Sequence, residues 1–188
     1  MQSLTPAEML KVLKVASSSK RNHCMILFAF RCGMRASEIC NLRLSDIDRK
    51  NQTVTVRRLK GSKTSVVQMT NVSGQPLLSM VRVLNAWLEE RRDDSDFVFA
   101  SQKGGRLDRS AFFRMFQAVA TEAGLPPEKR HVHCLKHSLG FAMVAANRSL
   151  TTIQNALGHR SVSSTGIYAQ PSREQVDHAI QATLLEVF

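Results

Sequence analysis

Hydrophobic positions along most of the chain recur every three to four residues, which is the spacing of one face of an α-helix. The first such segment, "LTPAEMLKVLKVA", has Thr5 as its N-cap, Pro6 at the first helical position and Glu8 three residues after the cap. A second capping box is predicted at Thr151 and Gln154. The other predicted helices are "RNHCMILFAFRCG", "ASEICNLRL", the segment from about Gln75 through "LLSMVRVLNAWLEERR", "DRSAFFRMFQAVATEAG", "HCLKHSLGFAMVAAN", "TTIQNALG" and the segment from "SREQ" to Phe188.

One stretch follows the two-residue period of β-strands instead. In "QTVTVRRLKGSKTSVVQMT", two β-branched runs flank "KGSK", which predicts an antiparallel hairpin whose turn projects lysines. A short run, "FVFA", could add an edge strand. The sequence has no internal repeat, low-complexity tract or long linker, so residues 1–188 are predicted to form one mostly α domain with a small antiparallel sheet, an α+β fold.

Composition limits the class of protein. The 188 residues are 43% hydrophobic, no run approaches the roughly 20 apolar residues of a membrane span, and the N-terminus lacks the pattern of a signal peptide. The sequence thus predicts a soluble, cytoplasmic protein. Its four cysteines show no C-x-x-C spacing, so a disulfide framework is not expected.

The charge balance points to a polyanionic partner. Twenty-six Lys and Arg against fifteen Asp and Glu give a formal net charge of +11 and a sequence pI near 10.2. Basic residues are dispersed along the chain and are not collected on one amphipathic helix, which favours nucleic acid over a membrane surface. A soluble protein that is merely basic is the alternative.

The stretch "HVHCLKHSLG", residues 131–140, concentrates groups that could hold a metal, grip a phosphate or lie on a solvated helix face. His133 and His137 are four apart, as in a zinc pair, but the zincin motif needs Glu where this chain has Cys134. A metal site is therefore disfavoured. The stretch "RRLKGSKTS" lacks the frame of a Walker phosphate loop, so no nucleotide hydrolysis is implied.

A phosphate site needs several cations, a proton donor and a nucleophile, and three separated motifs supply them. "GMRASEICNLRLSDID" places Arg35 after a glycine turn, "HCLKH" places His133 and Lys136 three apart on one helical face, and "LGHRSVSSTGIYA" places His159 nine residues before Tyr168, the chain's single tyrosine. Together these motifs resemble the signature of the tyrosine recombinase, or phage integrase, family. The resemblance covers nearly the whole chain, and "RNHCMILFAFRCGMRASEIC", "SQKGGRLDRSAFF" and "LGHRS" look most like the short recombinases that invert fimbrial promoter segments.

The resemblance implies the tyrosine recombinase catalytic-domain fold and a role for each matched residue. Tyr168 would attack the scissile phosphorus, giving a 3′-phosphotyrosyl link and a free 5′-hydroxyl, so that bond energy is conserved and neither a cofactor nor a metal is required. Arg35 would hold the non-bridging oxygens. His133 would assist proton transfer with the tyrosine, and His159 would donate a hydrogen bond to the phosphate. Glu38, one turn after Arg35, is expected to orient the arginine or a neighbouring helix.

Two lysines complete the resemblance. One of them, Lys136, stands where the family motif has arginine. Lys60 in "LKGSK" aligns with the hairpin lysine that protonates the leaving 5′-oxygen, with Lys63 as the local rival. The family motif His-x-x-Arg is His-x-x-Lys here, so Lys136 keeps the charge but loses the planar bidentate fork of arginine. His137, next to it, is expected to support the site and not to bind a ligand.

The resemblance also implies the setting in which the protein acts. The expected partner is double-stranded DNA at a specific site, bound by a tetramer that can involve an accessory DNA-bending protein. The expected location is the cytoplasm, in association with the nucleoid, in a bacterial, phage or mobile-element context. The chain is predicted to contain the catalytic domain without the separate N-terminal domain that family members usually carry. Two hypotheses follow: a recombinase that catalyses integration, excision or inversion, and a DNA-binding regulator whose cleavage is impaired by lysine at position 136.

Overall fold

The computed structural model of the protein describes residues 2–58, 64–161, 163–168 and 181. Its helices are α1 Pro6–Ala16, α2 Lys20–Arg31, α3 Ala36–Cys40, α4 Met80–Glu90, α5 Arg109–Glu122, α6 His133–Ala145, α7 Leu150–Leu157 and α8 Ser163–Gly166. Its strands are β1 Ile47–Asp48, β2 Thr53–Val56 and β3 Ser65–Gln68. Short 3₁₀ turns lie at Leu44–Asp46, Pro76–Leu78 and Pro127–Lys129. The α+β prediction is confirmed, and the predicted helix from "SREQ" to Phe188 lies, apart from Gln181, outside the described residues.

Capping side chains explain where α1 and α7 begin. At α1 the predicted capping box is confirmed, because Thr5 Oγ1 accepts from the Glu8 N–H at 3.2 Å and the Glu8 carboxylate accepts from the Thr5 N–H at 2.8 Å. The box predicted at Thr151 was wrong. Ser149 caps α7 instead, its hydroxyl accepting from the Thr152 N–H at 3.2 Å, since a serine two residues earlier in the chain reaches the unpaired N–H groups first.

The three strands form one antiparallel sheet in the order β1-β2-β3. Strands β2 and β3 are the predicted hairpin, with Val54 opposite Val67, and its turn at 59–63 lies outside the described residues. The edge strand predicted at "FVFA" was wrong: Phe97 and Ala100 make only isolated bridges, to Arg43 and Arg106. Its apolar character reflects burial in the core, because Val98 and Phe99 are fully buried.

Helix α2 lies at the centre of the molecule. Residues 24–29 are all fully buried, as expected for a helix that is apolar on every side. It packs against α1, α4 and α6, while Trp87 of α4 donates its indole N–H to Val98 O at 2.8 Å. All four cysteines are buried and free. Helix α3 packs against α2 and α5, and α6 packs against α2, so this core positions the residues described below.

None of the helices in the described part is long and apolar enough to cross a membrane.

Candidate active site

Arg35 stands at the turn between α2 and α3. Gly33 ends α2 in the left-handed conformation, with φ of 55°, and Arg35 is the N-cap of α3. The buried Glu38 carboxylate accepts from the Arg35 N–H at 2.9 Å and from Arg35 Nη1 at 2.8 Å. Burial raises the pKa of Glu38, but these hydrogen bonds outweigh it and the net pKa is lowered. The expectation that Glu38 orients Arg35 is confirmed.

A second arginine, Arg58, shares the same carboxylate. Its side chain is 0% exposed, and Nη1 donates to Gly33 O at 2.8 Å and to Glu38 Oε2 at 3.2 Å. The other nitrogen, Nη2, donates to Cys32 O at 2.8 Å and to Ala156 O at 3.1 Å. Arg58 therefore joins the turn before Arg35 to the end of α7.

Sequence reasoning missed Arg58, although a signal was present. Residues 54 and 56 of β2 are the buried positions of the strand, and a strand places every second side chain on one face. Arg58 continues that inward series, whereas Arg57 points outward, with 67% of its side chain exposed and a bond to Asp46. The doublet "RR" hid the difference because both residues are basic.

The glycine of "LGH" is required by its backbone conformation and by a close contact. Gly158 ends α7 with φ of 63°, a region that side chains with a Cβ rarely adopt. A Cβ there would also lie 2.5 Å from Arg58 Nε. His159 follows directly, held by Gln154 Nε2, which donates to His159 O at 3.2 Å, and by Thr165 Oγ1, 3.0 Å from His159 Nδ1.

Lys136 of α6 also contacts the end of α7. It is only 5% exposed, and its Nζ donates to Leu157 O at 2.6 Å. Burial, together with the positive charges of Arg58 and Arg35, lowers the pKa of Lys136 to about 7, against a smaller opposing effect of Glu38. Lys136 therefore changes between its ammonium and neutral amine forms near neutral pH.

Tyr168 packs against His159 and against α6, and it is 4% exposed. Its ring meets Phe141 edge-on at 5.1 Å between centroids and stacks on His159 at 6.2 Å. It lies so close to α6 that a Cβ on Gly140 would come within 2.7 Å of Cε1. The hydroxyl is hydrogen-bonded to Nδ1 of His137 at 2.8 Å.

The Tyr168–His137 bond joins two neutral groups at neutral pH. Burial raises the pKa of Tyr168 to about 12, and burial with the nearby His133 lowers the pKa of His137 to about 4. Burial and the cations around Lys136 likewise lower the pKa of His159 to about 4. The tyrosine thus rests protonated, in contact with a neutral imidazole.

Comparison with known proteins identifies the family. The profile of the Phage integrase family matches residues 2–175. The chain belongs to the phage integrase family. Type 1 fimbriae regulatory protein FimB of Escherichia coli strain K12 is 38% identical over 173 residues, covering 88% of this chain and 82% of that protein. FimE of the same strain is 31% identical over 166 residues, covering 85% and 79%. The resemblance to fimbrial recombinases is confirmed.

Solved structures agree on the fold. The XerA recombinase superposes with a TM-score of 0.78 at 27% identity, over 97% of this chain and 65% of that one. XerH bound to its difH substrate gives 0.79 at 24% identity, over 96% and 54%. The chain thus spans between about half and two thirds of these solved chains.

Among the residues matched to the phage integrase motifs, the fold brings Arg35, Lys136, His159 and Tyr168 into one cluster. His133 is the first residue of α6, and partial burial, His131, Arg35 and Lys136 lower its pKa. Lys60 and Lys63 lie outside the described residues. His137, expected only to support the site, is the residue that contacts the tyrosine hydroxyl.

Proposed function

We propose that the protein is a site-specific tyrosine recombinase that cleaves and rejoins duplex DNA through a 3′-phosphotyrosyl intermediate. The observation that carries this proposal is the arrangement of three cations, Arg35, Arg58 and Lys136, around the carboxylate of Glu38, beside the buried Tyr168. Arg35 and Arg58 outnumber the one carboxylate, and Lys136 adds a third positive charge when it is protonated, so the local surplus of positive charge suits a phosphodiester. The net charge of +11 supports binding to the duplex around it.

Cleavage in this scheme is a displacement at phosphorus. The oxygen of Tyr168 bonds to phosphorus as the bond to the 5′-oxygen breaks, and rejoining is the reverse attack by that 5′-hydroxyl. Arg35, Lys136 and His159 stabilise the extra charge on the non-bridging oxygens. His133 assists removal of the tyrosine proton.

The leaving 5′-oxygen must gain a proton in the same step. Lys60 is the proposed donor and Lys63 its rival, by resemblance to the hairpin lysine of the family. Burial keeps the Tyr168 hydroxyl protonated, with a pKa of about 12, so its proton has to be removed as the oxygen attacks phosphorus.

The second candidate is a DNA-binding regulator with the same fold and little cleavage. The observation that favours it is Lys136: its pKa of about 7 leaves it partly neutral, and it cannot offer the fork of the family's arginine. Such a protein would bind a specific site and remain non-covalent.

Trapping the covalent intermediate separates these candidates. A duplex selected from a random pool by gel shift is nicked near the cleavage position, so that the short 5′-ended fragment diffuses away and rejoining fails. A recombinase should accumulate a protein–DNA adduct that survives denaturing electrophoresis. A retarded complex that dissociates completely in detergent would support the regulator and contradict the recombinase.

For assembly, we propose a tetramer on DNA in which the C-terminal segment of one protomer docks on the next. The apolar residues of "SREQVDHAIQATLLEVF" recur at helical spacing. A groove of about 560 Å³, formed by the start of α1, the end of α2 and α6, offers apolar side chains such as Met9, Phe30 and Phe141 to such a helix. In the same proposal, the tetramer recognises a specific DNA site and catalyses integration, excision or inversion. An accessory DNA-bending protein can take part in the assembly.

Deleting residues 174–188 should weaken cooperative assembly on DNA and leave the fold intact. Ala142→Arg, at an exposed position of the groove, should have the same effect because it places a charge on the docking surface. Ala118→Arg, exposed on α5, is the matched control. Unchanged cooperativity in a gel-shift titration, with a lower unfolding temperature of the deletion variant, would show that the segment packs within its own domain.

A further inference from the structure

We propose that Arg58 is a positioning residue that fixes the turn carrying Arg35 relative to the turn carrying His159. The inference rests on the proposed recombinase function. The Arg58 side chain is fully buried and donates only to backbone carbonyls and to Glu38 among the described residues. Its role is therefore to align other groups that bind the phosphate.

The contacts of Arg58 span three separate parts of the chain. Two carbonyls, of Cys32 and Gly33, belong to the turn that leads into Arg35, and a third, of Ala156, belongs to the last turn of α7 before His159. These segments are more than a hundred residues apart in sequence. One rigid guanidinium plane bridges the two segments. If either segment moved relative to the other, Arg58 could not keep its hydrogen bonds to both.

Arg58 also sets the direction of the Arg35 side chain. Glu38 Oε2 accepts from Arg58 Nη1 at 3.2 Å and from the Arg35 N–H at 2.9 Å, while Glu38 Oε1 accepts from Arg35 Nη1 at 2.8 Å. Glu38 is thus held from both sides. Without Arg58, the carboxylate would lose the hydrogen bond that Arg58 Nη1 donates to the oxygen shared with the Arg35 N–H.

Gly158 shows how closely Arg58 fits against the His159 turn. The distance of 2.5 Å from a Cβ at this position to Arg58 Nε means that the guanidinium rests on the bare backbone of the residue preceding His159. The glycine of "LGH" and Arg58, two residues beyond the end of β2, therefore pack directly against each other. Two residues beyond Arg58 the chain reaches Lys60.

Burying a cation costs desolvation free energy, and a protein with apolar residues of similar volume at the same position is often at least as stable. Burial lowers the pKa of Arg58, and Glu38 only partly offsets this. Lysine keeps the charge but lacks the planar fork, so it cannot donate to the three carbonyls and Glu38 at once. Position 58 therefore calls for arginine for its geometry.

The test compares Arg58→Lys with Arg57→Lys, the same change one residue earlier on the exposed face. Single-turnover adduct formation on the nicked substrate at saturating protein gives a rate constant and an amplitude, the fraction of DNA trapped at completion. For Arg58→Lys we expect the rate constant to fall about 100-fold, the loss typical of a misplacement near 1 Å, with the amplitude and DNA dissociation constant within about twofold of wild type. Arg57→Lys should keep the rate constant.

A role in folding alone would give the opposite pattern: fewer competent molecules, hence a lower amplitude at an unchanged rate constant. That result, or an unchanged rate constant and amplitude, would overturn the inference while leaving the recombinase intact. If Arg58→Lys does not fold, Arg58→Gln, which keeps donors without the charge, is assayed on the same terms. Absence of any adduct from the wild-type protein would instead overturn the proposed function, and the inference with it.

Discussion

Tyr168→Phe should abolish the covalent adduct on nicked DNA and leave the fold and DNA affinity nearly unchanged. The change removes the oxygen that attacks phosphorus in the proposed mechanism, so the loss should be complete within detection. The ring keeps its contacts with Phe141 and His159 and its place against Gly140. Only the hydrogen bond to His137 is lost, at a cost of about 1 kcal/mol in the free energy of unfolding.

His137→Leu is the matched control for this prediction. It breaks the same hydrogen bond from the other side but leaves the nucleophile in place, so the adduct should still form. Denaturing electrophoresis measures the adduct, and thermal unfolding measures the stability of both variants. An adduct that persists in Tyr168→Phe would assign the nucleophile to another residue and refute the mechanism proposed above.

Lys136→Arg should raise the rate of adduct formation. The arginine fork supplies two oriented donors to phosphate oxygens, where an ammonium supplies charge alone. At pH 6, where both residues are charged, the gain should be roughly 10-fold, equivalent to ~1.4 kcal/mol of transition-state stabilisation. DNA affinity at that pH should change little, because a cation stands at the site in both proteins. Lys136→Ala should be slower than either, since it loses charge and geometry together.

The advantage of Lys136→Arg should grow with pH. A lysine with a pKa lowered to about 7 is charged below that pH and loses its charge as pH rises, so the wild-type rate should fall by about tenfold per unit above pH 7.5. Arginine stays charged. Tyr168, with a pKa of about 12, and His159, with a pKa of about 4, keep one protonation state over this range.

The measurement is the rate of adduct formation between pH 6 and 9 at DNA concentrations below the dissociation constant, where the profile reports ionisations of the free protein. Wild type should decline above pH 7.5 and the arginine variant should stay level. If the arginine variant is slower than wild type at pH 6, the site is adapted to lysine, and the interpretation of position 136 as a weakened phosphate clamp is wrong. Parallel declines in both would assign the titration to another group.

Local patterns predicted the elements correctly where the deciding interactions lie within a few residues. The α1 capping box joins residues three apart, and its two hydrogen bonds form as expected. The hairpin of β2 and β3 follows from alternation along each strand. The misplaced cap at Thr151 shows the limit of this approach, because Ser149 and Thr151 are both good caps by residue type and the actual start of α7 decides between them.

"FVFA" failed for a related reason. Apolar β-formers are equally suited to a strand and to an irregular buried segment, and hydrogen-bonding partners decide which one forms. Here the Val98 N–H donates to Leu42 O and the Leu44 N–H donates to Asp96 O. These two hydrogen bonds lie on either side of one isolated bridge. The third strand comes instead from Ile47–Asp48.

The sequence by itself determined the helix-rich fold and the family, and it supplied the motifs around Arg35, Lys136 and Tyr168 on which the proposed chemistry rests, because residue type and spacing carry that information locally. The tertiary structure alone decided that Arg58 faces inward as a shared partner of Glu38 and that the tyrosine hydroxyl meets His137. It also decided the lowered pKa of Lys136. Each of these depends on burial and on charges brought together from distant parts of the chain, and the free energy of a buried charge is set by those neighbours.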